Sequence, residues 1–127
     1  ALRIRNGKFE AYAYDKEGLQ TKREREVKAA KRIFGLLPQD QGSRLYDLWE
    51  EFEAYESAEA KYAHMLDNFQ PLMLNDALGG RSWREHQVKK SQVCRRNEKT
   101  HEGSEKVWKY MEGLIQKNVE KGNILDE

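Results

Sequence analysis

The chain has 127 residues, 38% of them hydrophobic and 35% charged, which fits one domain with a thin apolar core. Its 23 basic and 22 acidic residues nearly cancel and alternate along the chain, so no broad field for DNA or RNA follows and nucleic-acid binding is not expected. A single cysteine, Cys94, excludes an intrachain disulfide; with no apolar run of roughly 18 residues and no signal-like N-terminus, the expectation is a cytoplasmic protein with no membrane partner.

Leu2, Ile4, Phe9, Tyr12 and Tyr14 alternate weakly between Gly7 and Gly18, which predicts an extended or irregular segment over residues 1–20 ahead of a helical domain over 21–127. From Thr21 to Leu37, Val27, Ala30, Ile33, Phe34 and Leu37 recur at three- and four-residue steps, the pattern of an amphipathic helix. Pro38 opens the connection to a second helix at about 39–54, whose stripe is Leu45, Leu48, Trp49 and Phe52. Ser57 is placed to cap a third helix carrying Ala60, Ala63, Leu66, Phe69 and Met73, with Glu59 favourable at its positive end. Pro71 inside it removes one backbone hydrogen bond and predicts a kink near residues 69–72, before Gly79 and Gly80 end the helix.

Ser82 and Glu85 have the spacing of a capping box and predict a short fourth helix, sparse in apolar residues and open to division in two. Val107, Trp108, Met111, Leu114, Ile115 and Val119 make a continuous stripe in a last helix from about Gly103 to Lys121, stopped by Gly122. The sum is an all-α bundle of about five helices.

No glycine-rich phosphate loop, paired-cysteine zinc site, His-Glu-x-x-His helix or nucleophile elbow is present. His64 and Asp67, three apart on one helix, can reach a common face and offer an imidazole and a carboxylate to a divalent metal. Two ligands are not a site, and residue types alone favour structural roles for both. His86, His101 and Cys94 have no sequence neighbours that make them a base, ligand or activated thiol, although Arg95 and Arg96 adjoin the cysteine. The basic run Lys89, Lys90, Arg95, Arg96 and Lys99 reads first as a solvated helix face and second as a receptor for a phosphate-bearing ligand. Trp83, Trp108 and Tyr110 read as core.

The segments Tyr12 to Gly18 and Lys22 to Glu26 resemble the stretch after the histidine-aspartate dyad in HD-domain hydrolases related to bacterial 5'-deoxynucleotidases. The resemblance continues, in order, through Leu48 to Glu53, Glu59 to Lys61, Leu66 to Pro71, Ser82 to His86 and Gln92 to Asn97, covering about residues 12–122. It implies an HD-like helical bundle. Family members remove phosphate from nucleoside monophosphates with a divalent metal held by an upstream histidine, the dyad and a distant aspartate. Asp67 is similar to that distant ligand. Such an ion lowers the pKa of bound water and offsets charge on phosphoryl oxygens, and one carboxylate cannot hold it.

Extended backward from Tyr12 without a gap, the dyad positions fall at about Ala1 and Leu2, a following acidic position near Arg5 and another on Glu10, and only Glu10 keeps an acid. The first expectation is therefore a non-catalytic module that uses its exposed apolar stripes to form a homodimer, with no cofactor. A second is a phosphohydrolase with a rebuilt site of Asp67, His64 and Glu10 holding Mn, Co or Mg, shared across a dimer. A third is a module that binds a nucleotide or phosphate ligand without turnover.

Overall fold

The structure is a computed structural model that describes residues 16–127, with side chains described from residue 21. Seven helical segments and no strand lie among the described residues, so the all-α expectation holds. They are α1 (Lys16–Phe34), α2 (Gln39–Ala54), α3 (Ala58–Ala77), α4 (Arg81–Glu85), α5 (Lys90–Asn97), α6 (Thr100–Gly103) and α7 (Glu105–Glu120). Contacts divide the chain into two compact units, one ending at Trp49 and one running from Glu50 to Glu127.

In the first unit, α1 begins at Lys16, earlier than expected, because Lys16, Glu17, Leu19 and Gln20 are good helix formers that carry the periodic pattern upstream of Thr21. Residues 16–20 are thus corrected from irregular to helical, and the rest of the expected N-terminal segment lies outside the described residues. The helix closes with Gly35 N–H on the Lys31 carbonyl at 3.0 Å, and the Pro38 carbonyl takes the first bond of α2 from Gly42 at 2.8 Å. Phe34 meets Tyr46 edge-on at 6.5 Å, Tyr46 lies 5.6 Å from Trp49, and the Arg23 guanidinium sits 4.7 Å from the Trp49 ring centre.

The second unit holds the larger core. Leu72, Trp83, Val93, Met111, Leu114, Ile115 and Ile124 form one buried cluster, with Phe69, Val88, Cys94, Val107, Trp108 and Val119 packed on it. Burying a side chain such as Ile115 or Met111 contributes about 1.5–3 kcal/mol. Ser57 caps α3 as expected, accepting from Ala60 N–H at 3.1 Å, and Ser104 does the same for α7 from Val107 N–H at 3.3 Å. Helix α3 runs through Pro71 to Ala77, so the proline does not divide it.

The capping box expected at Ser82 and Glu85 does not form. Gly80, at φ +70°, precedes α4, and Glu85 pairs instead with Arg81 at 2.7 Å, because the helix starts two residues earlier than the box requires. The sparse stretch after it is divided into α4, α5 and α6. Gly122, at φ +71°, follows α7 as the expected stop. The tail then returns beside the α4–α5 connection, where Lys90 N–H bonds the Leu125 carbonyl at 2.8 Å and Leu125 N–H bonds the Val88 carbonyl at 2.9 Å.

Candidate functional site

Asp67 projects from the middle of α3 and is exposed, and its carboxylate has no hydrogen bond or ion pair among the described residues. The structural alternative, in which it accepts bonds inside the bundle, is not what the geometry shows. Pro71, four residues on, has no N–H, so the Asp67 carbonyl also lacks its usual helical donor. One turn of α3 therefore presents both the side-chain and the main-chain oxygens of Asp67 without the partners a helix normally supplies.

His64, three residues earlier, is engaged elsewhere. Its ring stacks on Phe52 at 3.8 Å with a 3° interplanar angle, and its Nε2 lies 2.8 Å from the Phe52 carbonyl oxygen. A carbonyl only accepts, so Nε2 carries the proton and donates. This bond ties α3 to the last turn of α2. Glu10, the remaining candidate, lies outside the described residues. No group of three or more His, Cys, Asp or Glu side chains stands around a common metal position among the described residues. The described residues by themselves therefore supply Asp67 and too few further ligands to hold the divalent ion that the resemblance implies.

The basic run separates into two sets. Lys89 pairs with Glu127, and Lys90 bonds Gln116 at 3.0 Å and lies 3.9 Å from Asp126, so the C-terminal tail occupies both. Arg95, Arg96 and Lys99 instead line an open cavity of about 440 Å³ together with Tyr55, Asn68 and Thr100. His86 is exposed, His101 Nδ1 lies 2.6 Å from the Glu98 carbonyl, and Cys94 packs half-buried on the core. Trp83 and Trp108 are core residues as expected, whereas Tyr110 is exposed and meets Phe69 edge-on at 5.8 Å.

Sequence reasoning missed Tyr55, Asn68 and Thr100 as companions of the basic residues, because they come from three separated stretches and none belongs to a local motif. It also missed Asp76, which accepts from Lys117 Nζ at 2.9 Å and from Asn118 Nδ2 at 2.8 Å. These two hydrogen bonds hold the Asp76 carboxyl below its ordinary range. Asn118 in turn accepts from Asn123 at 2.7 Å, and Asn123 accepts from Arg84, so one polar chain links α3, α7, α4 and the tail.

Residues 10–108 match the HD domain family, most of the chain. The chain belongs to the HD domain family. Within it, the human 5'-deoxynucleotidase HDDC2 is 44% identical over 54 residues, 42% of this chain and 26% of that protein. The mouse 5'-deoxynucleotidase HDDC2 is 43% identical over 54 residues, 42% of this chain and 27% of that protein. The match thus spans about a quarter of the length of these relatives. A solved structure described as a predicted metal-dependent phosphohydrolase from Magnetospirillum magnetotacticum MS-1 superposes with a TM-score of 0.73 at 39% identity, covering 82% of this chain and 55% of that one. The HD-like bundle and the phosphohydrolase relationship expected from the sequence are both found. No described helix of this HD-domain chain is long and apolar enough to cross a membrane.

Proposed function

We propose that this chain is a structural, self-associating helical module of the HD phosphohydrolase type, which presents Asp67 but hydrolyses no phosphate ester by itself. The observation that carries the reading is the set of large apolar side chains left exposed: Ile33 and Leu36 in the first unit, and Leu66, Met73, Leu74 and Leu78 in the second. Leu36 is 82% exposed and Leu78 66%, values that are costly for leucine in water and are relieved when a second copy covers them, at about 25 cal/mol per Å² of apolar area. A homodimer is the simplest cover, since one patch then serves both partners. Molar mass by light scattering, on metal-free protein and again with added Mn2+, tests it. A metal-independent dimer is expected, and a monomer in both conditions sinks the reading.

A second reading is favoured by the exposed, unpaired carboxylate of Asp67 and by the names of the relatives. In it the chain takes part in metal-dependent hydrolysis of nucleoside monophosphates, with Asp67 as one ligand, His64 and Glu10 as candidates beside it, and any others supplied by a partner copy. Phosphate release from dAMP with Mn2+ or Co2+, lost in Asp67→Ala, is its signature. Absence of release with wild-type protein leaves the module reading in place.

A further inference from the structure

Asp67 does not line the cavity between the α2–α3 corner, α3 and the α5–α6 connection; His64 does, with its ring already stacked on Phe52 and its Nε2 bonded to the Phe52 carbonyl. Asp67 lies one residue before Asn68, about 100° round the helix from it. Arg95 and Arg96, exposed in the last turn of α5, have no ion-pair partner among the described residues. Lys99 follows them, with its Nζ 5.3 Å from the Tyr55 ring centre. Three cationic side chains therefore share the wall with one acidic residue, Glu98.

One further observation points to a ligand. Thr100 is 1% exposed and lines the cavity, yet its Oγ1 has no hydrogen-bond partner among the described residues. A buried hydroxyl without a partner bears the desolvation cost of an unmade bond.

Tyr55 sits at φ +56°, a left-handed conformation in which glycine is the usual residue. Its ring is held there edge-on to His64 at 5.0 Å, and its hydroxyl donates toward the Lys99 carbonyl at 3.4 Å. Tyr55 directly follows the last residue of α2, so its left-handed backbone ends that helix and leaves the residue on the cavity wall. Burial and the nearby Glu102 carboxylate raise the Tyr55 pKa, so the phenol remains a donor at neutral pH.

We propose that this cavity binds a phosphate dianion, free or as a phosphate monoester, through the Arg95, Arg96 and Lys99 side chains, with Asn68 and Thr100 donating to the remaining oxygens. The chemistry fits a tetrahedral oxyanion: guanidinium forks suit paired oxygens, the ammonium adds charge, and the amide and hydroxyl are neutral donors. Asp67 is not part of this site, and none of the five side chains assigned to the phosphate is a candidate metal ligand.

The test is a titration of the whole chain followed by amide NMR shifts at Asn68, Lys99 and Thr100, at constant ionic strength set with NaCl. The probes are inorganic phosphate, dAMP and deoxyadenosine. Saturable shifts are expected with phosphate and dAMP and none with deoxyadenosine. Equal affinity assigns the phosphate group alone, and tighter dAMP assigns a monoester, either of which upholds the site.

The double variant Arg95→Gln/Arg96→Gln, at exposed positions, is expected to weaken binding at least tenfold. Thr100→Val keeps the side-chain shape and removes the orphan hydroxyl, so it is expected to weaken binding severalfold while its Tm stays equal or rises. Asp67→Ala is expected to bind phosphate as the parent does. Shifts that do not saturate, shifts caused by deoxyadenosine alone, binding unchanged in both the double and the Thr100 variants, or binding lost in Asp67→Ala each overturn the proposal.

Discussion

Of the two described carboxylates held below their ordinary range, Asp76 and Glu85, Asp76 is the less exposed. Lys117 and Asn118 both donate to it, and this lowers its pKa in the folded protein. A depressed folded-state pKa stabilises the fold above the unfolded-state value, about pH 4, and that contribution is lost as pH falls through the lower folded value. Lys117 is partly exposed, so the ion pair itself is worth little; the Asn118 bond and the chain beyond it to Asn123 and Arg84 are less accessible to water. Asp76→Asn is expected to cost about 1 kcal/mol at pH 7, and the difference from the parent should shrink toward zero near pH 2. Urea denaturation of both proteins at the two pH values measures it, and a deficit that persists at pH 2 would mean that Asp76 acts through packing instead of charge.

At the scale of elements, periodicity reveals what is long and fails for what is short. Helix α7 was legible because Val107, Met111, Leu114, Ile115 and Val119 keep one stripe over about three turns, and α3 because Ser57 marks its start. Helix α6, only Thr100–Gly103, is too short to have a period, and its place is set by contact with α3. A Cβ built on Gly103 stands 2.6 Å from the Lys61 carbonyl oxygen and 2.7 Å from the Met65 Cβ, so only glycine lets the two backbones approach this closely. Gly103→Ala is therefore expected to destabilise the second unit by about 1–3 kcal/mol, read as a fall in Tm by circular dichroism. An unchanged Tm would show that α6 moves away from α3 at no cost. The same contact explains why the cavity was illegible: Tyr55, Asn68 and Thr100 converge only once α6 has docked. Asp67, by contrast, was legible only through the family resemblance, since nothing local distinguishes it from other exposed carboxylates.

Across the whole molecule, burial is uneven. Ala30 is the buried hydrophobic side chain described before Trp49, whereas Met65, Leu72, Trp83, Met111, Ile115 and Ile124 are all buried in the unit that follows. Local opening free energy tracks buried apolar contact, so the two units should not open together. The exposed residues Ile33, Leu36, Leu45 and Leu48 add to this, because they give the first unit apolar surface without the burial that would stabilise it. Native-state hydrogen exchange is expected to show α1 and the first turns of α2 exchanging by local opening, orders of magnitude faster than the amides of α3 and α7 around Leu72 and Ile115. The contrast should narrow as protein concentration rises if self-association covers the first unit's apolar residues, because burial in a dimer slows opening by mass action. Uniform exchange across all helices at low concentration would mean that the two units share one cooperative transition. A contrast independent of concentration would mean that the apolar residues of the first unit are not what a second copy covers.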